Sequence, residues 1–387
     1  MSGFSDDLSD AQAKALAEIK GNACDVSSNP VVDDEYLLRF LRARDFDVAK
    51  AEKMLRQCLK WREEIDIENH QNRQTPEVLK LLPNISLPIG KAKNGSPIVY
   101  LNYTGADMKG LFRCIQTKDF MWWLCYELEM ADAVVRSTSK PYKGLTLVCD
   151  YNRISMDVLS KQNLDFEKQF NPIMEKNFPE IVNKVLILNG STVLHIFLKL
   201  VKYLIPKETL SKLEFLKDPK DLKKFIDDDQ LIGHYGGTLV DEDGDPKFSS
   251  KIIYPTKIPE SFYIAPNFAD YELNSDYTKV EIGRGKEISV AVEVATIGFS
   301  IIWFVLSKDG ELEIGINFKA ESGDVEPVEP MSKVNCDVCP ESGSKICSKV
   351  GTYTVVIRNN AVLKSKKVAY NVEVLKEDDS EPILTKL

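Results

Sequence analysis

Residues 180–212 read EIVNKVLILNG-STVLHIFLKLVKYLIP-KETLSK, and the rest of the chain is best understood outward from them. Val185-Leu-Ile-Leu188 is apolar at every position and is closed by Asn189-Gly190. Such a run suits a strand buried on both faces of a parallel or mixed sheet. Ser191 to Leu204 follow and are nearly all apolar. The exceptions His195, Lys199 and Lys202 fall at i, i+4 and i+7, one thin polar stripe on a helix. Pro206 stops it. A helix with so wide an apolar arc needs apolar neighbours on more than one side. It is either a buried core helix or a lid, with one face over an apolar cavity and the other free to meet a membrane.

The chain has 387 residues, enough for two domains with a core each. A net charge of −9 argues against general nucleic-acid binding, which calls for a basic surface. Locally the sign reverses. Residues 180–224 hold nine Lys against five Asp plus Glu. The start, Met1-Ser-Gly-Phe-Ser-Asp-Asp, has neither the basic nor the apolar region of a secretory signal. Ser2 stands where myristoylation needs Gly, and Leu-Thr-Lys-Leu387 is no prenylation box. No run approaches the roughly 20 apolar residues of a membrane span. Eight scattered Cys fit a reducing cytosol, so the expected location is cytoplasmic with peripheral membrane contact.

In chain order, Ser9 or Asp10 caps a helix from Ala11 to Lys20, Asp33-Asp34 starts one over Glu35 to Arg44, and Asp47 caps one over Val48 to Glu64. Ile85 to Tyr103 reads as a hairpin turning at Lys93-Asn94-Gly95. Lys118 to Arg136 is helical and carries Trp122-Trp123, which are expected in the core. Gly144 to Asp150 is a second buried strand, Leu164 to Asn177 a helix, and Leu213 to Leu216 a short strand. A helix from Asp218-Pro219 to about Asp227 completes an α/β order with a mostly parallel sheet. Asp241-Glu-Asp-Gly-Asp-Pro246 and prolines 255, 259 and 266 then make a break. Beyond it come short β-rich runs: Val280–Ile282, Glu287–Val294, Phe299–Leu306, Glu313–Lys319, Thr352–Arg358 and Lys367–Leu375. These read as a β-sandwich. The expected division is a helical subdomain over 1–74, an α/β domain over 75–240, a linker over 241–275, a sandwich over 276–376 and a charged tail over 377–387.

Catalysis has no foothold in this sequence. There is no GxGxxG after a strand, Gly283-Arg-Gly285-Lys286 is too short for a phosphate loop, and no GxSxG elbow occurs. His70, His195 and His234 sit in unrelated settings. Cys336-x-x-Cys339 with Cys347 has thiolate spacing for zinc but lacks a fourth ligand in the β-rich part, so no metal and no cofactor is expected.

Several motifs resemble a known family. Leu37-Leu-Arg-Phe-Leu-Arg-Ala-Arg44, Asp45-Phe-Asp-Val and Trp61-Arg62 resemble the N-terminal helices of CRAL-TRIO lipid-binding proteins. Asn177-Phe-Pro-Glu180, Val185 to Asn189 and His234-Tyr-Gly-Gly-Thr238 resemble the rest of that domain. The β-rich part, with Trp303, Gly351-Thr-Tyr353 and a last Val-Glu-Val strand, resembles a GOLD domain, and the combination is similar to supernatant-protein-factor-like proteins.

The resemblance implies a sheet-floored cavity for one hydrophobic molecule, closed by a mobile gate helix, followed by a GOLD-type sandwich. In the phosphatidylinositol-transfer branch, the headgroup residues fall on Arg44, Glu180, Thr209 and Lys212. Arg and Lys suit a phosphodiester, the Thr hydroxyl bonds to it, and Glu accepts from inositol hydroxyls. The bland alternative is an Arg–Glu salt bridge joining the helical subdomain to the sheet. Val193, Leu194, Phe197, Leu198, Val201 and Leu204 are the expected gate and cavity residues. Two departures stand out: Asn189-Gly190-Ser191 replaces the branch's Asn-Ala-Pro, and Lys202-Tyr203 replaces its Lys-Pro. The hydroxyls that read phosphatidylcholine fall at Leu145 and Leu147, so a choline lipid is expected to bind poorly and an isoprenoid or tocopherol better. The leading reading is a carrier that exchanges or presents a phosphoinositide-type lipid at a membrane surface. The other is an adaptor whose GOLD domain recruits a protein partner while the first domain senses lipid.

Overall fold

The computed structural model describes residues 3–25, 32–68, 75–115, 117–205, 207–264, 275–308, 310–320, 323–334, 336, 340–361 and 363–375, the side chains of 161, 204 and 208 excepted. His70, Pro206, Pro266, Cys339 and the tail after 375 lie outside them.

Short polar side chains start the first three helices. In α1 (Asp10–Asn22) the Ser9 hydroxyl accepts from the Gln12 N–H and the Gln12 side chain accepts from the Ser9 N–H. Asp33 caps α2 (Asp34–Arg42) and Asp47 caps α3 (Val48–Glu64). Ile19, Leu38, Leu41 and Leu55 bring their apolar faces into one cluster. The helical face of α2 is therefore spent on this core, apart from its arginines.

The α/β part runs β1 (Ile98–Asn102), α4 (Met108–Cys114), α5 (Thr117–Thr138), β2 (Leu145–Asp150), α6 (Lys161–Asn177), β3 (Val182–Leu188), α7 (Thr192–Val201), α8 (Lys207–Ser211) and β4 (Leu213–Phe215). Strands order β1-β2-β3-β4, all parallel, which is the arrangement that helical crossovers impose. β3 begins three residues before the apolar run, and α7 ends at Val201 in a 3₁₀ turn, Lys202–Leu204.

The expected hairpin is reduced to a bridge between Lys91 and Pro97. Its first arm diverges because Ala92 pairs with Ile226 instead, and Gly90 turns at φ +73. A Cβ at Gly90 would lie 2.4 Å from the Gln230 carbonyl oxygen. The helix expected after Asp218 is a 3₁₀ turn, Pro219–Lys224, with Asp218 as its cap. Helix α4 was hidden in the sequence by its Gly110 and its brevity.

The C-terminal part is a sandwich of two antiparallel sheets. It comprises β5 (Thr278–Ile282), β6 (Glu287–Val294), β7 (Ser300–Ser307), β8 (Leu312–Lys319), β9 (Val325–Val334), β10 (Glu341–Ile346), β11 (Gly351–Arg358) and β12 (Lys366–Leu375). One sheet orders β10-β7-β12-β5 and the other β6-β11-β8-β9. Strands β9 and β10 escape a pattern reading because one is rich in Glu and Pro and the other in Ser and Gly. Both are edges, where proline and polar residues are tolerated.

Candidate functional site

The three arginines of the Arg39–Arg44 segment take different jobs. Arg39 is 1% exposed; its Nε donates to the Pro179 carbonyl at 2.9 Å and its Nη1 meets Asp132 at 2.6 Å. Tyr142 donates to the same Asp132 oxygen at 2.6 Å, and its ring lies 4.2 Å beneath the guanidinium. Helix α2 is thereby bolted to α5 and to the turn that carries Glu180. That turn is held close by Gly144, at φ +66, whose Cβ would lie 2.4 Å from the Glu180 carbonyl oxygen. Glu180 itself sits at φ +63, immediately before β3.

Around Glu180 the mouth of a cavity assembles. Arg42 Nε lies 3.4 Å from one carboxylate oxygen and Lys212 Nζ 3.5 Å from the other. Burial lowers the Arg42 pKa, and Glu180 opposes that effect. The salt bridge from the helical subdomain to the sheet edge thus uses Arg42, one of the three arginines of this segment, and not Arg44. Arg44 is left turned to the cavity. Its Nη1 donates to the Ala43 carbonyl, and among the described residues it makes no ion pair. Thr209, on α8, and Lys212, just past it, reach the same wall, and the Lys212 carbonyl accepts from the Val185 N–H of β3. Arg44, Glu180, Thr209 and Lys212 therefore line one cavity, although 168 positions separate the first from the last. Arg44 and Lys212 are the cations of the cavity lining, and Glu167, Glu175 and Glu180 are its carboxylates.

The cavity measures about 410 Å³. Leu111, Phe120, Trp123, Phe166, Phe170 and Phe178 give it an apolar wall. Trp123 serves core and cavity together, whereas Trp122 stacks on Tyr126 and donates to the Ile65 carbonyl. Helix α6 also turns Asn163, Glu167 and Asn171, at i, i+4 and i+8, to the same space. Burial raises the Glu167 pKa, partly offset by the Asn171 amide that donates to it at 2.7 Å. Tyr103 and Tyr151 stack at 4.9 Å nearby, past the C-terminal ends of β1 and β2. Burial pushes the Cys149 thiol up to about 12. This polar strip was legible as a 3.6-residue stripe beside Phe166 and Phe170, but a stripe alone does not tell cavity from solvent.

The residues expected in a gate divide by direction. Phe197 lines the cavity, as does Ile205, which the sequence reading did not single out. Val193 and Phe197 pack on Val158 and Leu159, Leu198 and Phe197 on Leu164 and Val201, and Leu194 is 1% exposed. The Leu204 side chain lies outside the described set. In the turn between β3 and α7, Asn189 takes φ +53 and donates to Asp150 at 2.8 Å, while Ser191 caps α7 by accepting from the Leu194 N–H. Gly190 leaves room for Phe215 and His195, which stack at 5.4 Å. His195 Nδ1 bonds the Ser191 carbonyl at 2.6 Å. Leu145 and Leu147 pack with Val99 and Val185 in the cluster that also holds the cavity residues Ile85, Tyr103 and Tyr151.

Cys336 and Cys347 are both buried in the sandwich core. Among the described residues no cluster of His, Cys, Asp and Glu is disposed to hold a metal ion, and no helix is long and apolar enough to cross a membrane.

A parallel sheet and its helices thus enclose an apolar chamber with charged side chains in its wall. Residues 85–237 match the CRAL/TRIO domain model and residues 26–57 the CRAL/TRIO, N-terminal domain model. Over these residues the chain is similar to the CRAL-TRIO family, whose members bind and transfer lipids. "CRAL-TRIO domain-containing protein T23G5.2" of Caenorhabditis elegans is 26% identical over 82% of this chain and 45% of its own length. "Protein real-time" of Aedes aegypti is 26% identical over 68% of this chain and 42% of its own. The chain thus spans less than half of these two relatives. "Protein ctg-1" of Caenorhabditis elegans is 23% identical over 89% of this chain and 92% of its own. The solved structure of Sfh5 is 18% identical with a TM-score of 0.49, over 64% of this chain and 94% of that one.

Proposed function

We propose that the chain is a lipid carrier that holds one phosphoinositide-type lipid, with its phosphate at Arg44, Thr209 and Lys212 and its acyl chains against the aromatic wall. The observation that carries this reading is Arg44, a guanidinium without an ion pair at the mouth of an apolar cavity, beside Lys212 and Thr209. A phosphodiester supplies the missing anion, and Glu180 accepts from inositol hydroxyls. Exposing an acyl chain costs about 0.8 kcal/mol per CH₂, so two chains of some sixteen carbons cost roughly 25 kcal/mol in water. Helix α7 is the gate that spares the lipid this cost between membranes. The surplus of Lys after it draws the open mouth to anionic lipid at the membrane surface. The GOLD-type sandwich follows as a separate module. Extraction of phosphatidylinositol from phosphatidylcholine vesicles is the test: wild type removes it, Arg44→Ala does not, and an apolar ligand still enters both.

A further inference from the structure

The sandwich meets the gate helix on the face that would have to move. In β7 the odd residues Ile301 and Val305 point into the sandwich core, whereas Ile302 points out. It packs with Val201 of α7 and Leu164 of α6, and Leu198, Leu200, Ile205 and Leu375 close around them. On the neighbouring strand β10, Ser342, Ser344 and Ile346 share that outer face by the period of two. Ile346 joins Ile196 and Leu200 of α7, the Ser344 hydroxyl donates to the Met156 carbonyl at 3.0 Å, and the Ser342 hydroxyl to Gln162 at 3.4 Å. At the end of β10, Glu341 pairs with Lys109 at 2.5 Å and Arg113 at 3.1 Å, one turn apart on α4. Four of these residues lie on the edge strand β10, and Ile302 lies on its inner neighbour β7.

We infer that the sandwich is a latch on the gate: its β7–β10–β12 face covers the outward side of α7 and must leave before α7 can open. This rests on the reading of α7 as the gate, and it explains why the apolar arc of α7 is so wide. Phe197 and Ile205 line the cavity and also border the cluster around Ile302, while Leu198, Val201 and Leu200 meet the sandwich without lining the cavity. A membrane competes for the second set, since those side chains find an apolar partner either on the sandwich or in lipid, never on both. The Glu341 pairs are largely shielded from solvent and border the apolar contact of Ile302 and Ile346 with α7.

Hydrogen exchange in the full-length chain reads the latch directly, at the α7 amides. In Glu341→Arg, and separately in Ile302→Ser, α7 amides should exchange at least about tenfold faster, with β8 and β11 still protected. Lys109→Glu with Arg113→Glu should restore slow α7 exchange to Glu341→Arg, which a misfolded sandwich would not allow. Wild-type α7 exchange in both latch variants, with β8 and β11 protected, overturns the latch. Because exchange needs no lipid, this outcome is independent of whether phosphatidylinositol is the ligand. That question is decided by extraction with Arg44→Ala.

Discussion

The Lys212 ammonium lies 3.5 Å from the Glu180 carboxylate, joining the segment after α8 to the turn before β3. With Arg42 on the other oxygen, Glu180 is held from both sides, and the only positive group at this mouth left facing inward without an ion pair, among the described residues, is Arg44. Removing a charge-assisted hydrogen bond to a bound phosphate costs about 1.5–3 kcal/mol, roughly 10- to 100-fold in affinity. Arg44→Ala should therefore weaken phosphatidylinositol by that factor while shifting the midpoint of chemical denaturation very little. Equal loss of a hydrocarbon ligand would show that Arg44 shapes the cavity instead.

Arg39 and Asp132 make the opposite case. Both side chains are almost wholly buried, and the pair is shared with Tyr142 and the Pro179 carbonyl. Deleting one partner of a buried pair costs about 3–5 kcal/mol. Asp132→Ala should lower the thermal midpoint strongly. An unchanged midpoint would mean that the helical subdomain is held by its apolar contacts alone.

Much of this arrangement was legible in the sequence, for reasons that differ by element. Short polar caps at Ser9, Asp33 and Asp47 mark the first three helices, and an unbroken apolar run marks β3. The motif residues Arg44, Glu180, Thr209 and Lys212 meet because parallel strands β3 and β4 bring the residues before them to one edge. Arg42 could not be told from Arg44 by chemistry or spacing. The difference is made by the chain leaving α2 at Ala43, after which Asp45 and Phe46 take positive φ. Strands β9 and β10 were invisible because edge strands need no apolar alternation.

Gly144→Ala should destabilise the domain by roughly 2–3 kcal/mol, since a side chain there has both the wrong φ and a carbonyl in its way. Denaturant titration checks it. A neutral result would mean that the Glu180 turn yields without cost.

Glu167 gives a pH signature. Burial raises its pKa above 4.5, so the folded chain holds this proton more tightly than the unfolded chain does. Its contribution to stability is complete below the unfolded value of about 4.3 and is lost as pH rises through the folded value. Glu127 is raised in the same direction. Glu167→Gln should flatten the fall in stability above about pH 4.3 in part, and Glu127→Gln with it should flatten it further. A slope unchanged in Glu167→Gln would place that carboxyl in contact with bulk water.

Mass spectrometry of the intact chain purified under native conditions, with the mass of whatever lipid it retains, bears most closely on the carrier reading. The result expected is one phosphoinositide-type lipid per chain in wild type, lost from Arg44→Ala and from Lys212→Ala. Retention of the same lipid in both variants, or of an uncharged lipid alone in wild type, would contradict it.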